Sequence, residues 1–117
     1  DCFLSENTSL PMMFMEDAVQ ATIDLMKAPK ESIKTWSSYN LAAMSFSPEE
    51  IFNEIKLRYP NFSISYRPDF RQAIADSWPQ TIDDSQARKD WNWHHQYDLK
   101  KLVDVMLTNL EKVLAPI

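Results

Sequence analysis

Apolar and polar positions along this chain switch between two periods, and the switches mark out its elements. Residues 10–15 (LPMMFM) form a short apolar run after a polar stretch, which predicts a buried strand. Over residues 17–28, Val19, Thr22, Ile23 and Met26 share one helical face, and Pro29 stops the helix. Residues 37–42 (SSYNLA) read as a second short strand. Ser47-Pro48-Glu49-Glu50 is the clearest local signal. Ser47 can accept from the amide of residue 50, Pro48 suits the first helical position, and Glu50 can return the bond. The helix opened there carries Ile51, Phe52, Ile55 and Tyr59 inward and ends before Pro60.

Phe62, Ile64 and Tyr66 then alternate with Ser63, Ser65 and Arg67, the period of a half-buried strand. Residues 68–79 (PDFRQAIADSWP) follow no single period: part can coil into a turn of helix, and the ends read as loop. A short helix is predicted over residues 85–90 with Asp84 as its cap. Asp98 caps a last helix, on which Leu99, Leu102, Val103, Met106, Leu107, Leu110 and Leu114 make one apolar stripe. Strands separated by helices favour a parallel or mixed sheet over hairpins. The expected fold is a small α/β layer of about three short strands and four helices, its open face packed on something else.

Composition narrows the functions available. At 117 residues, 44% apolar and 25% charged, the chain suits one globular domain without disulfide staples. No apolar run approaches the roughly 18–20 residues of a membrane span. There is no glycine at all. Phosphate-cradling loops need glycine for positive φ and close backbone approach, so this chain cannot bind a nucleotide that way. A net charge of -5 argues against nucleic acid as a partner. The single cysteine, Cys2, leaves the redox compartment open, and two histidines with one cysteine are too few for an ordinary closed zinc site. The segment DCFLSENTSL has neither the basic start nor the apolar core of a signal peptide and reads as mid-protein sequence.

Several constellations invite chemistry. Tyr97 and Lys101 have Y-x-x-x-K spacing, but they lie at a helix start with no glycine-rich loop upstream, and chance explains them. The rings of adjacent His94 and His95 diverge on any regular element and read as polar loop residues. Asp76, Asp83 and Asp84 suggest paired carboxylates, although capping explains Asp84 more simply. Met12, Met13 and Met15 read as core. Trp78 stands apart, because no amphipathic stripe in its irregular polar stretch needs so large an aromatic ring. With Arg71 it can supply an aromatic wall and a partner for a carboxylate, or it can pin its own loop to the core.

Together these residues resemble a known family. The order Leu10-Pro11-Met12-Met13-Phe14-Met15-x-Asp17-Ala18, then Ser38-Tyr39-Asn40-Leu41-Ala42, then the Ser-Pro capped helix, is similar to the C-terminal lobe of extended short-chain dehydrogenases, the NAD-dependent epimerase/dehydratase superfamily. The tail Asp84-x-x-Ala87-Arg88-x-x-Trp91-x-Trp93 with Tyr97-Asp98-Leu99 is similar to that superfamily's closing pattern. Within it, residues 69–79 (DFRQAIADSWP) resemble the corresponding stretch of short-chain-type L-threonine 3-dehydrogenases.

That resemblance implies NAD-dependent oxidation of L-threonine to 2-amino-3-ketobutyrate. A Rossmann half, absent from these residues, would hold NAD and the catalytic Tyr/Lys pair, and residues 1–117 would be the substrate-binding lobe. By position Trp78 resembles the family's substrate-pocket tryptophan, Pro11 and Met12 the segment lining the pocket opposite, and Arg71 a supporting or carboxylate-facing residue. No catalytic, cofactor-binding or metal-binding residue is expected in this chain. The implied partners are L-threonine and the Rossmann half, in a cytoplasmic homodimer with neither nucleic acid nor membrane bound. The family often carries glycine where Ala43 and Asn92 stand; Asn92 can keep a left-handed helix end, and Ala43 fits only at negative φ. Two other readings remain: the lobe of a nucleotide-sugar epimerase or dehydratase with Arg67 on the diphosphate, and a non-catalytic interaction module using the Leu99–Leu114 stripe.

Overall fold

Ser47 opens a helix as its spacing predicts: its hydroxyl accepts the Glu50 amide at 3.3 Å, and the Glu50 carboxylate accepts the Ser47 amide at 2.8 Å. Asp98 likewise accepts the Lys101 amide at 2.8 Å and starts the last helix. The computed structural model describes residues 1–115. In chain order they form β1 (Leu10–Met12), α1 (Met15–Lys27), a 3-10 turn (Lys30–Ser32), β2 (Met44–Phe46), α2 (Pro48–Arg58), α3 (Phe70–Asp76), α4 (Ser85–Trp91) and α5 (Leu99–Leu114). The fold is α/β as expected, with five α-helices around one small sheet.

The strands depart from expectation in number, place and direction. β1 and β2 pair antiparallel, with Leu10 opposite Phe46, Pro11 opposite Ser45 and Met12 opposite Met44. A helix between two strands did not force them parallel, because the irregular chain after α1 is long enough to return in either direction. The strand expected over residues 37–42 does not form, and pairing begins at Met44. Side chains claim the backbone just ahead of that segment and at its end instead. The Tyr39 hydroxyl accepts the amides of Lys34 and Thr35 at 3.0 and 3.2 Å, and the Ala42 amide donates to Asp84 at 3.1 Å. The alternation at 62–66 yields a single parallel bridge, Cys2 with Tyr66, formed as the Cys2 amide donates to the Ser65 carbonyl and the Arg67 amide to the Cys2 carbonyl.

The core is small and centred on Ala21, Ala87 and Trp93, with Met13, Tyr39, Leu41 and Trp91 packed on it. Of the three methionines read as core, only Met13 joins it; Met12 and Met15 are exposed. Two carboxylates pin the core from inside. Asp17, 1% exposed, accepts the amides of Gln96 at 2.9 Å and Tyr97 at 3.1 Å, tying α1 to the start of α5. Asp84 accepts from Arg88, the Ala42 amide and the Trp93 indole. It stands at the head of α4 but does not cap it with its side chain; Asp83 takes the Ser85 amide at 2.9 Å instead.

The apolar stripe of α1 faces outward. Asp17 and Ala21 are its buried residues, while Met15, Val19, Ile23 and Met26 are exposed, Met26 by 81%. On α5 only the first turns are buried, through Leu102 and Val103, and Leu110 and Leu114 are exposed. Asn92, the one described residue with positive φ, ends α4 at φ 58° and ψ 37°, the left-handed geometry expected of it. Ala43 therefore has the negative φ it needs.

Candidate functional site

Asp69 determines where Trp78 goes. Its carboxylate accepts the Arg71 amide at 2.9 Å, which starts α3 after an extended stretch. Two turns later the Ser77 hydroxyl donates to the Ile74 carbonyl at 2.6 Å and the Trp78 amide to the Ala75 carbonyl at 3.1 Å, closing the helix. The indole then stands 58% exposed on the rim of a polar concavity of about 200 Å³. Ser5, Asn7 and Thr8 make one wall; Gln72, Asp76 and Trp78 make the other. Gln80 also lines it, and its carbonyl accepts the Ser45 hydroxyl at 2.6 Å, which fixes the chain after Trp78 to β2.

The other expected site residues lie elsewhere. Met12 lines a neighbouring apolar recess of about 260 Å³ with Leu10, Phe46, Ile51 and Phe52; Thr8 lines both spaces. Pro11 is half-buried in mid-β1 opposite Ser45 and lines neither. Arg71 is occupied. Its guanidinium donates to both Asp69 oxygens, at 2.6 Å in the shortest contact, and lies 3.4 Å over the Phe3 ring. Hydrogen bonds from the Arg71 side chain and amide hold the Asp69 carboxyl below its ordinary value. A substrate carboxylate would have to displace that partner.

Tyr97 and Lys101 do not make an acid/base pair. The Tyr97 hydroxyl donates to Glu16, and that bond, with burial and the Glu16 charge, holds the phenol above its ordinary value, the reverse of what a proton-accepting tyrosine needs. The Lys101 ammonium lies 4.2 Å over the Tyr97 ring and donates to the Gln96 carbonyl at 3.2 Å. His94 turns to the Asn92 carbonyl and His95 to Arg88, so their rings diverge. Asp76 accepts from Gln72 at 2.7 Å, while Asp83 and Asp84 serve α4 and the core. Arg67 pairs loosely with Asp1 at 3.8 Å on the surface. The one left-handed position among the described residues, Asn92, is spent ending α4.

Sequence reasoning missed Ser5, Thr8 and Gln72. The spacing of Gln72 and Asp76, four apart on one helical face, was visible. Their partners across the concavity were not, because Ser5 and Thr8 lie 67 and 64 residues away from Gln72.

No protein-family model matches the chain. Among curated proteins it is 49% identical over 108 residues to the mitochondrial L-threonine 3-dehydrogenase of Bos taurus, a match covering 92% of this chain and 29% of that protein. It is 45% identical over 111 residues to an uncharacterised epimerase/dehydratase of Staphylococcus haemolyticus, covering 94% of this chain and 35% of that protein. Among solved structures, the holo form of the GalE-like L-threonine dehydrogenase from Cupriavidus necator superposes with a TM-score of 0.89 at 54% identity, covering 93% of this chain and 35% of that one. The chain spans about a third of the length of the curated relatives it matches. In sequence and in fold, it is homologous to the C-terminal part of the L-threonine 3-dehydrogenases of the epimerase/dehydratase family.

Proposed function

We propose that these residues are the substrate-binding lobe of an NAD-dependent L-threonine 3-dehydrogenase that oxidises L-threonine to 2-amino-3-ketobutyrate. The observation that carries this reading is the placement of Trp78, an exposed indole facing a wall of small hydroxyl and amide side chains. An amino acid suits such a space. The indole can cover the substrate's methyl group, Ser5, Thr8 and Asn7 offer hydrogen-bonding groups, and Asp76 offers a carboxylate to the ammonium. NAD, when bound, would accept the hydride from C3. The chain's own part is to bind and orient L-threonine and to exclude water around it. The cofactor and the catalytic Tyr/Lys pair would be supplied by a Rossmann half outside these residues. The outward stripe of Met15, Val19, Ile23 and Met26 is apolar surface of the kind such a half would cover.

On this reading the parent enzyme is a homodimer. A cytoplasmic location is part of the same proposal, although the bovine relative is named as mitochondrial. Among the described residues no helix is long and apolar enough to cross a membrane.

The test is Trp78→Ala in the full-length enzyme, read by NADH production from L-threonine. We expect kcat/KM to fall by roughly tenfold or more, with a melting temperature within about 3 °C of the parent's. A large loss of stability would make Trp78 a pin for its own loop. Turnover of a uridine diphosphate sugar, with none of L-threonine by the unaltered enzyme, would overturn the substrate.

A further inference from the structure

Gln72 joins the two walls of the concavity. Residues 5–8 close a turn in which the Thr8 amide donates to the Ser5 carbonyl at 3.2 Å and the two hydroxyls meet at 2.7 Å. The Gln72 carboxamide holds this turn from α3. Its Oε1 accepts the Ser5 amide at 2.8 Å and the Thr8 hydroxyl at 3.3 Å, and its Nε2 lies 2.8 Å from Thr8 Oγ1. The same Nε2 donates to Asp76 Oδ1 at 2.7 Å, one helical turn further along α3. A carboxamide offers two N–H groups and two acceptor sites, so these contacts leave it no free group and one orientation. Trp78 is fixed to the end of α3 through the Ala75 carbonyl. The indole wall therefore moves with α3, the hydroxyl wall moves with the 5–8 turn, and Gln72 spans them.

We propose that Gln72 is a positioning residue that sets the gap between Trp78 and the 5–8 turn, and so the fit of the substrate's side chain. This rests on the reading that L-threonine enters this concavity. A residue that sets a gap acts on substrate binding and size selection more than on the chemical step, so KM should move while kcat holds.

Two variants of the full-length enzyme test this with L-threonine and with its homologue one methylene longer. Gln72→Glu keeps the acceptor for Ser5 and Thr8 but loses both N–H donors and sets a second carboxylate one turn from Asp76 on the same wall, which swings the side chain away from Asp76 and loosens its hold on the 5–8 turn. Gln72→Leu keeps bulk and removes every polar contact, and it carries the test if the glutamate variant does not fold. Each should raise KM for L-threonine roughly tenfold, leave kcat within about twofold, and narrow the preference for L-threonine over the longer homologue. Unchanged KM in a folded variant, or a joint fall of kcat and melting temperature, would each overturn the assignment. If the unaltered enzyme turns over no L-threonine, the proposed function fails first and takes this inference with it.

Discussion

Asp84 stands at the head of α4 yet turns its carboxylate inward, where it meets Arg88 at 2.9 Å and both the Ala42 amide and the Trp93 indole at 3.1 Å. Burial pushes this carboxyl up, but the hydrogen bonds from Arg88, Ala42 and Trp93 and the Arg88 charge outweigh it and hold the group below its ordinary value. A folded-state value below the unfolded one means the contribution is full above the usual carboxylate range and is lost as pH falls through the lowered value. Asp84→Ala should therefore cost about 2–3 kcal/mol at neutral pH, by leaving the Ala42 amide unpaired and leaving Arg88 and the Trp93 indole with their longer bonds to the Ala42 carbonyl. It should also flatten the acid limb of the stability curve below about pH 4, as urea titrations across pH would show. The Asp-Asp pair was legible in the sequence, but which member caps and which turns inward was not. That choice depends on Ala42, which is 42 residues away from Asp84. Asn92 was legible, because a left-handed helix end leaves few residue types to choose from.

At the level of elements, what could be read depended on how local the deciding bonds are. The capping box at Ser47 lies within four residues and was read in full. Ser47→Ala should lower stability by about 1 kcal/mol, checked by chemical denaturation, with little change in any binding the lobe performs. The seven-residue α3 stayed ambiguous, since its one strong local signal is the Asp69 cap and it buries only Ala75. Residues 37–42 have the composition of a strand, but the Tyr39 hydroxyl turns back to the Lys34 and Thr35 amides and the Ala42 amide goes to Asp84, which no period reports. The outward α1 stripe carries the sharper lesson. Periodicity identified the apolar face of that helix, but the side turned to the core of these residues is the one holding Asp17 and Ala21. Of the candidate site, the position of Trp78 on an irregular rim was legible, whereas its hydroxyl wall was assembled by contacts more than sixty residues apart.

Taken whole, the molecule is a slab of 52 × 40 × 22 Å with a radius of gyration of 17.3 Å, against about 13 Å for a compact domain of this length. A slab buries little: beyond Trp93, Leu102 and Val103, the buried apolar residues among those described are alanines. The isolated chain should therefore melt broadly and at low temperature and should bind a hydrophobic dye. On the proposed reading, the same residues joined to a Rossmann half should bind little dye and melt cooperatively, and calorimetry with dye fluorescence checks both. A sharp, high-temperature melt of the isolated chain would contradict this.

The buried Asp17 carboxylate has a kinetic consequence. The Gln96 and Tyr97 amides that it accepts lie just ahead of α5, outside any helix or strand, where amides ordinarily trade their protons with solvent quickly. Here those two should exchange as slowly as amides in the middle of α5, and Asp17→Ala should release both together. Deuterium uptake at these two positions thus reports whether α1 is still seated on the rest of the chain, without any ligand or assay.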